Sequence, residues 1–162
     1  MVLAATVFGL VLVESASAQS DNATQNVTLA VNAVYKIATS GNPGAMTITT
    51  GTAGTDALTS VTDNATTYSI TQNFANTVKI TASLDSPLAS GYTLKIDLAS
   101  SKGTSAGSVD ISNATSGSAV DVVTAIHVGA DAGQGIGYTF SALASAGTLS
   151  STSKTVTLTL TN

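Results

Sequence analysis

The feature that most restricts this chain is a period-two alternation of apolar and small polar side chains. It is strictest in "VKITASL", through Val78, Ile80, Ala82 and Leu84, and in "YTLKIDLA", through Tyr92, Leu94, Ile96 and Leu98. The same rhythm carries Tyr68 and Ile70, then Ile136, Tyr138 and Phe140, then Val156, Leu158 and Leu160 in "KTVTLTLTN". Successive side chains on a strand point to opposite faces, so each such segment buries one face and wets the other. A helix needs apolar residues three and four apart, and these segments lack that spacing.

Turn signals punctuate the alternation. "TSGNPGA" and "DSPLASG" gather the Gly, Pro, Asn, Asp and Ser residues that supply bend angles. "GTAGTDALTSVTDN" (51–64) reads mostly as loop, as do "SSKGTSAGS" and "GADAGQG". "MTITT" resumes the alternation with Met46 and Ile48, and "VDIS" forms a short strand on Val109 and Ile111. In "SAVDVVTAI" the Ser118-x-x-Asp121 spacing resembles a capping box, and Ala119, Val122, Val123 and Ile126 lie at helical spacing. That segment predicts a short helix or turn, although its three valines favour a strand. The sum is eight or nine short strands and at most one short helix. This is an all-β chain, folding as an antiparallel β-sandwich, Ig-like or jelly-roll-like, with a closed barrel as the alternative.

Composition agrees. The chain has 27 Thr and 21 Ser, while charged residues make up only 9%, against about 25% in an ordinary soluble domain. Thr is β-branched and fits a pleated surface, whereas Lys and Glu more often fill helix faces. At 162 residues there is room for one domain with a real core. The five basic residues, Lys36, Lys79, Lys95, Lys102 and Lys154, are scattered, and the net charge is −4. Neutralising a phosphate backbone takes a cluster of cations, so nucleic acid is not an expected partner. There is no Cys, hence no disulfide.

The first residues hold an apolar run from Val2 to Val13 and end in Ala16-Ser17-Ala18, a small-x-small cleavage pattern. The run is too short for a bilayer, which needs about twenty residues. Residues 1–18 therefore read as a signal peptide without its usual positive n-region, and the alternative is a retained segment used in assembly or anchoring. Secretion to the cell surface follows, with no stable membrane insertion once the signal is removed. Residues 19–32 then form an N-terminal extended segment and residues 33–162 the sandwich.

Sites of chemistry are sparse. His127 is the single histidine, and no acid clusters near it in sequence. The carboxylates Asp21, Asp56, Asp63, Asp85, Asp97, Asp110, Asp121 and Asp131 are spread along the chain, mostly at turns. No EF-hand-like loop occurs, no G-x-S-x-G elbow, and "GADAGQGIG" lacks the Gly-Lys-Ser/Thr ending of a phosphate loop. Tyr35, Tyr68, Tyr92, Tyr138 and Phe140 fall on inward positions, where they fill a core rather than stack on sugars. The expectation is no enzyme, no catalytic residue, no metal and no cofactor. Sequons at Asn22, Asn26, Asn64 and Asn113 are candidate glycosylation sites.

The stretches "QNVTLAVNAVYKIATSGNPG", "DNATTYSITQN", "VKITASLDSPLASGYTLKIDLA" and "SKTVTLTLTN" resemble those of small secreted all-β proteins of environmental bacteria. More loosely, the chain is similar to extracellular fibre and pilus subunits that assemble by donor-strand exchange. Many chaperone–usher pilins carry a disulfide, and here the chain departs from them. The resemblance implies no catalytic residues. It implies a structural subunit that polymerises with itself into a filament, pilus or biofilm-matrix fibre by lending a terminal strand to its neighbour. The alternative is a monomeric adhesion or ligand-binding module. "QNVTLAVNAVYKIA" (25–38) is long for one strand, and its alternation loosens around Ala33-Val34. Its first half is the candidate donor, with Val27, Leu29 and Val31 as the inserted side chains.

Overall fold

A computed structural model describes residues 20–162; the signal-like stretch 1–18 lies outside them. Contacts divide the chain between Val31 and Asn32, and Asn32–Asn162 holds all the described strands. These are β1 (Tyr35–Thr39), β2 (Val61–Gln72), β3 (Val78–Leu84), β4 (Tyr92–Leu98), β5 (Thr104–Ser105), β6 (Val109–Asp110), β7 (Val120–Ile126), β8 (Gly129–Ala142) and β9 (Val156–Thr161). The helical content is one 3-10 turn, Ala144–Ala146. Two antiparallel sheets result, ordered β1-β2-β8-β4-β6 and β5-β7-β3-β9. The fold is the β-sandwich that the alternation predicts, and two separate sheets rule out a closed barrel.

The inward row of each strand builds one core. Tyr68 and Ile70 of β2, Leu94, Ile96 and Leu98 of β4, and Ile136 and Tyr138 of β8 come from the five-stranded sheet. Val78, Ile80, Ala82 and Leu84 of β3 and Val122, Val123 and Ile126 of β7 come from the other, with Ile111 closing one end. Outward positions of β4 carry Thr93, Lys95 and Asp97, as a half-wetted strand requires. Tyr68, Tyr92 and Tyr138 are buried, while Tyr35 and Phe140 are half-buried at the margin.

Three local readings of the sequence are corrected by bulges. "SAVDVVTAI" is no helix or turn but strand β7. Against β3, Val78 pairs Ile126 and Ile80 pairs Val123, so β7 spends three residues where β3 spends two. A second slip follows, since Thr81 pairs Asp121. Each extra residue breaks the period of two, so Val122 and Val123 both point inward and the apolar spacing imitates a helix. Ala125 lies in the first bulge at φ 52°, a left-handed conformation unusual for a residue with a Cβ.

"GADAGQG" is likewise no loop but the first half of β8, and residues 61–64 belong to β2. On β2, Asn64 and Ala65 bulge between the pairs Asp63–Tyr138 and Thr66–Ile136. On β8 the extra residue falls between the pairs Tyr68–Gln134 and Ile70–Asp131, where Gly133 takes φ 65° and donates its N–H to Ser69 Oγ at 3.0 Å. One bulge on each strand restores the register, so both remain continuous. The glycines that read as loop are what a bulged strand needs.

Thr66 is buried on β2, and its Oγ1 has no protein partner among the described residues. A buried hydroxyl without a partner costs about 1–2 kcal/mol. Thr66→Val keeps the branched shape and removes the hydroxyl. It is expected to raise unfolding free energy by about 1 kcal/mol in chemical denaturation, and an unchanged or lowered midpoint would contradict this.

Candidate functional site

The candidate donor residues carry large apolar side chains in an exposed row. Val27, Leu29 and Val31 are 73%, 86% and 87% exposed, and residues 20–34 carry no ladder hydrogen bonds. Of the fourteen-residue stretch expected to be strand, only its end from Tyr35 pairs within the domain, antiparallel to β2 from Tyr35–Gln72 to Thr39–Tyr68. The pairing starts just after Ala33-Val34, where the alternation loosens. Asn73 holds this junction: its Oδ1 accepts the Val34 N–H at 2.6 Å, and its Nδ2 donates to the Asn32 carbonyl at 2.9 Å.

Four strands end the sheets, and they differ in what they offer a partner. β5 and β6 are two residues each and end their sheets bluntly. β1 has five residues and an outward Lys36. β9 pairs with β3 through six consecutive residues without a register shift, from Lys79–Thr161 to Leu84–Val156. Its Val156, Leu158 and Leu160 are only half-buried against the core, and its outward residues are threonines. β1 and β9 lie close to one another, at the same flank of the sandwich. The segment "MTITT" is a further correction. Met46 reaches the core and Ile48 is half-buried, yet residues 46–50 join no ladder, and among the described residues their backbone bonding is limited to the Thr50 carbonyl, which accepts from Thr59 N at 3.0 Å.

Other sites of chemistry are modest. His127 is exposed, and no group of three His, Cys, Asp or Glu side chains converges among the described residues. A cleft of about 590 Å³ is an open groove between Pro87, Leu88, Tyr92, Leu149 and Lys154. The one described ion pair, Lys79 to Asp121 at 2.9 Å, is exposed and contributes little. The sequon residues Asn22, Asn26, Asn64 and Asn113 are all exposed, although the Thr66 hydroxyl of the Asn64 sequon is buried.

One polar cluster escapes sequence reasoning. Asp131, assigned to a turn by its Gly-rich surroundings, points inward from β8 and is 3% exposed. Its Oδ2 accepts from Ser101 N at 2.8 Å, Ser100 Oγ at 3.1 Å and Lys102 N at 3.2 Å, and its Oδ1 from Ser101 Oγ at 2.7 Å. Burial pushes this carboxyl up, but the four donors outweigh burial and hold it below the usual carboxylate range. The clamped residues carry the chain from β4 in one sheet to β5 in the other. Gly103 completes that crossing, since a Cβ there would stand 2.7 Å from the Thr124 carbonyl oxygen. The Tyr68 phenol sits beside the clamp, donates to the Ala99 carbonyl at 2.6 Å, and is pushed up chiefly by burial. With three donors on Oδ2 and one on Oδ1, Asp131 fastens the crossing between the sheets. An inward acid on a strand is the signal that would have found it, once β8 is recognised as a strand.

No protein-family model matches the chain, and no curated protein matches its sequence. The geometry alone therefore carries the functional reading.

Proposed function

We propose that this chain is the structural subunit of an extracellular filament, pilus or matrix fibre, polymerised by β-strand donation between copies. The supporting observations are the exposed row Val27-Leu29-Val31 on a segment that joins no ladder, and a half-covered, regular sheet edge, β9, in the domain. In β-augmentation a peptide adds as a strand to an open edge, gains main-chain hydrogen bonds, and buries alternate side chains. Three large apolar residues at positions i, i+2 and i+4 suit that task, and they would be costly to leave in water in a monomer. The polar Thr-rich faces suit a fibre whose subunits stay solvated on both outer surfaces.

Deleting residues 20–31 from the mature protein tests this reading. Negative-stain microscopy of the intact chain is expected to show filaments, and the deletion variant is expected to remain a folded monomer with none. Absence of filaments from the intact chain under varied salt, pH and concentration would overturn the proposal. Collapse of the deletion variant would also overturn it, because the segment would then be a strand of its own domain.

A further inference from the structure

Resting on the assembly reading above, we infer that β9 is the strand that receives residues 25–31 of a second copy. The first argument is length and period. Val27-Leu29-Val31 and Val156-Leu158-Leu160 each place three large apolar side chains at every second residue. At about 3.3 Å per residue both rows span about 13 Å. β9 is the longest of the four sheet-ending strands, and its ladder to β3 has no bulge. A regular edge can take a further strand along its whole length, whereas bulges twist an edge away from partners.

The second argument is incomplete cover. Val156, Leu158 and Leu160 pack against the core yet remain half-exposed, in contrast to the fully buried Ile80 and Ala82 that lie opposite on β3. A strand on the free side of β9 would set its own apolar row beside theirs and continue the core by one strand. Its outward Thr28 would then join the row Thr157, Thr159 and Thr161, where cross-strand Thr pairs are favourable.

The third argument is charge. Residues 22–35 and 155–162 contain no ionisable side chain apart from Tyr35. Neither surface repels the other, and neither carries the lysines that block edge pairing in monomeric sheets. The competing edges are less suited. β1 has Lys36, β6 has Asp110, β5 is two residues long, and the unpaired stretch 45–49 offers only Met46 and Ile48.

The chain has no cysteine, so engineered pairs report cleanly. Ala30→Cys, and separately Thr28→Cys, is combined with Thr157→Cys or Thr159→Cys. All four positions are exposed, so the core is spared. Facing residues on neighbouring strands have Cβ atoms close enough for a disulfide. At least one of these pairs is expected to turn oxidised filaments into a covalent ladder of multimers on a non-reducing gel. Control pairs join Ala30→Cys to Ala38→Cys on β1 or to Thr47→Cys. A ladder from a control pair, with none from β9, would overturn the choice of edge and leave strand donation standing. A disulfide closed within single chains would overturn both. Filaments that form but yield no ladder from any β9 pair would overturn β9 alone.

Discussion

Replacing Leu29 by aspartate is expected to abolish filament formation while leaving the domain as stable as before. Leu29 is the middle residue of the row proposed for donation and is 86% exposed. In the free subunit the substitution therefore exchanges one solvated side chain for another, and the midpoint of thermal unfolding should stay within about one degree. In the proposed filament the same position would be buried. Losing the leucine forfeits about 2 kcal/mol of apolar burial. Placing an unpaired carboxylate between apolar side chains costs several kcal/mol more. A combined loss of about 5 kcal/mol per subunit contact lowers association by more than a thousandfold. Sedimentation and microscopy over a concentration series check this result. Filaments of normal yield from the variant would show that Leu29 is not inserted. Leu29→Ile provides the matching control and is expected to assemble, since it retains the volume and the polarity.

Asp131→Asn is expected to be the most damaging single-atom exchange within the domain. Three donors converge on Oδ2, from Ser100, Ser101 and Lys102, and a fourth reaches Oδ1. An amide accepts at one end only and carries no charge, so the three bonds to Oδ2 lose their charge assistance and the Ser101 hydroxyl must reverse its role to accept from the new NH2 group. The expected cost is about 3 kcal/mol, the range for breaking buried bonds to a charged group. For a domain of this size that corresponds to a fall of roughly 10 °C in midpoint. The pH dependence gives a second readout. The Asp131 pKa is lowered in the folded protein, so the unfolded chain binds the proton more readily in the acid range. The stabilisation is complete above the unfolded value near 4 and disappears as pH falls through the lower folded value. The difference in stability between the parent and Asp131→Asn should therefore be constant near neutrality and narrow below about pH 4. A difference that is flat from pH 7 to pH 2 would show that the fastening does not depend on its charge.

Several strands were legible because their pattern is purely local. In β3, β4 and β9 the alternation runs unbroken, and each inward residue is the one expected from the sequence. "SSKGTSAGS", read as loop, holds the two-residue strand β5, too short to show a period, whereas two longer illegible segments share one cause. In β7 and the first half of β8 an extra residue against the partner strand breaks the period, and that irregularity exists only in the pairing. A bulge leaves two valines side by side, or a glycine at positive φ, and both look like other structures when read along a single chain. "MTITT" is the converse case. Its alternation is sound, yet it joins no ladder, and only the Thr50 carbonyl at its end accepts a backbone hydrogen bond, from Thr59.

The candidate site divides in the same manner. Val27, Leu29 and Val31 stand out by alternation alone, and the structure adds that all three are exposed. The separation at Asn32 was visible as a loosening around Ala33-Val34, and the hydrogen bonds of Asn73 fasten that point. Asp131 was hidden, since its partners stand thirty residues away and its own neighbours are glycine and alanine.

By itself the sequence determined that this protein is all-β, layered, almost without charge, and provided with a strand-like extension ahead of its domain. Those properties follow from side-chain period and chemistry, which act over a few residues. Only the tertiary structure decided which strands lie at the edges, that β9 is the longest of them, regular and half-covered, and that a buried acid fastens the crossing between sheets. Such facts depend on which strand lies beside which. In an antiparallel sandwich that is set by contacts between distant parts of the chain, and no local pattern records them.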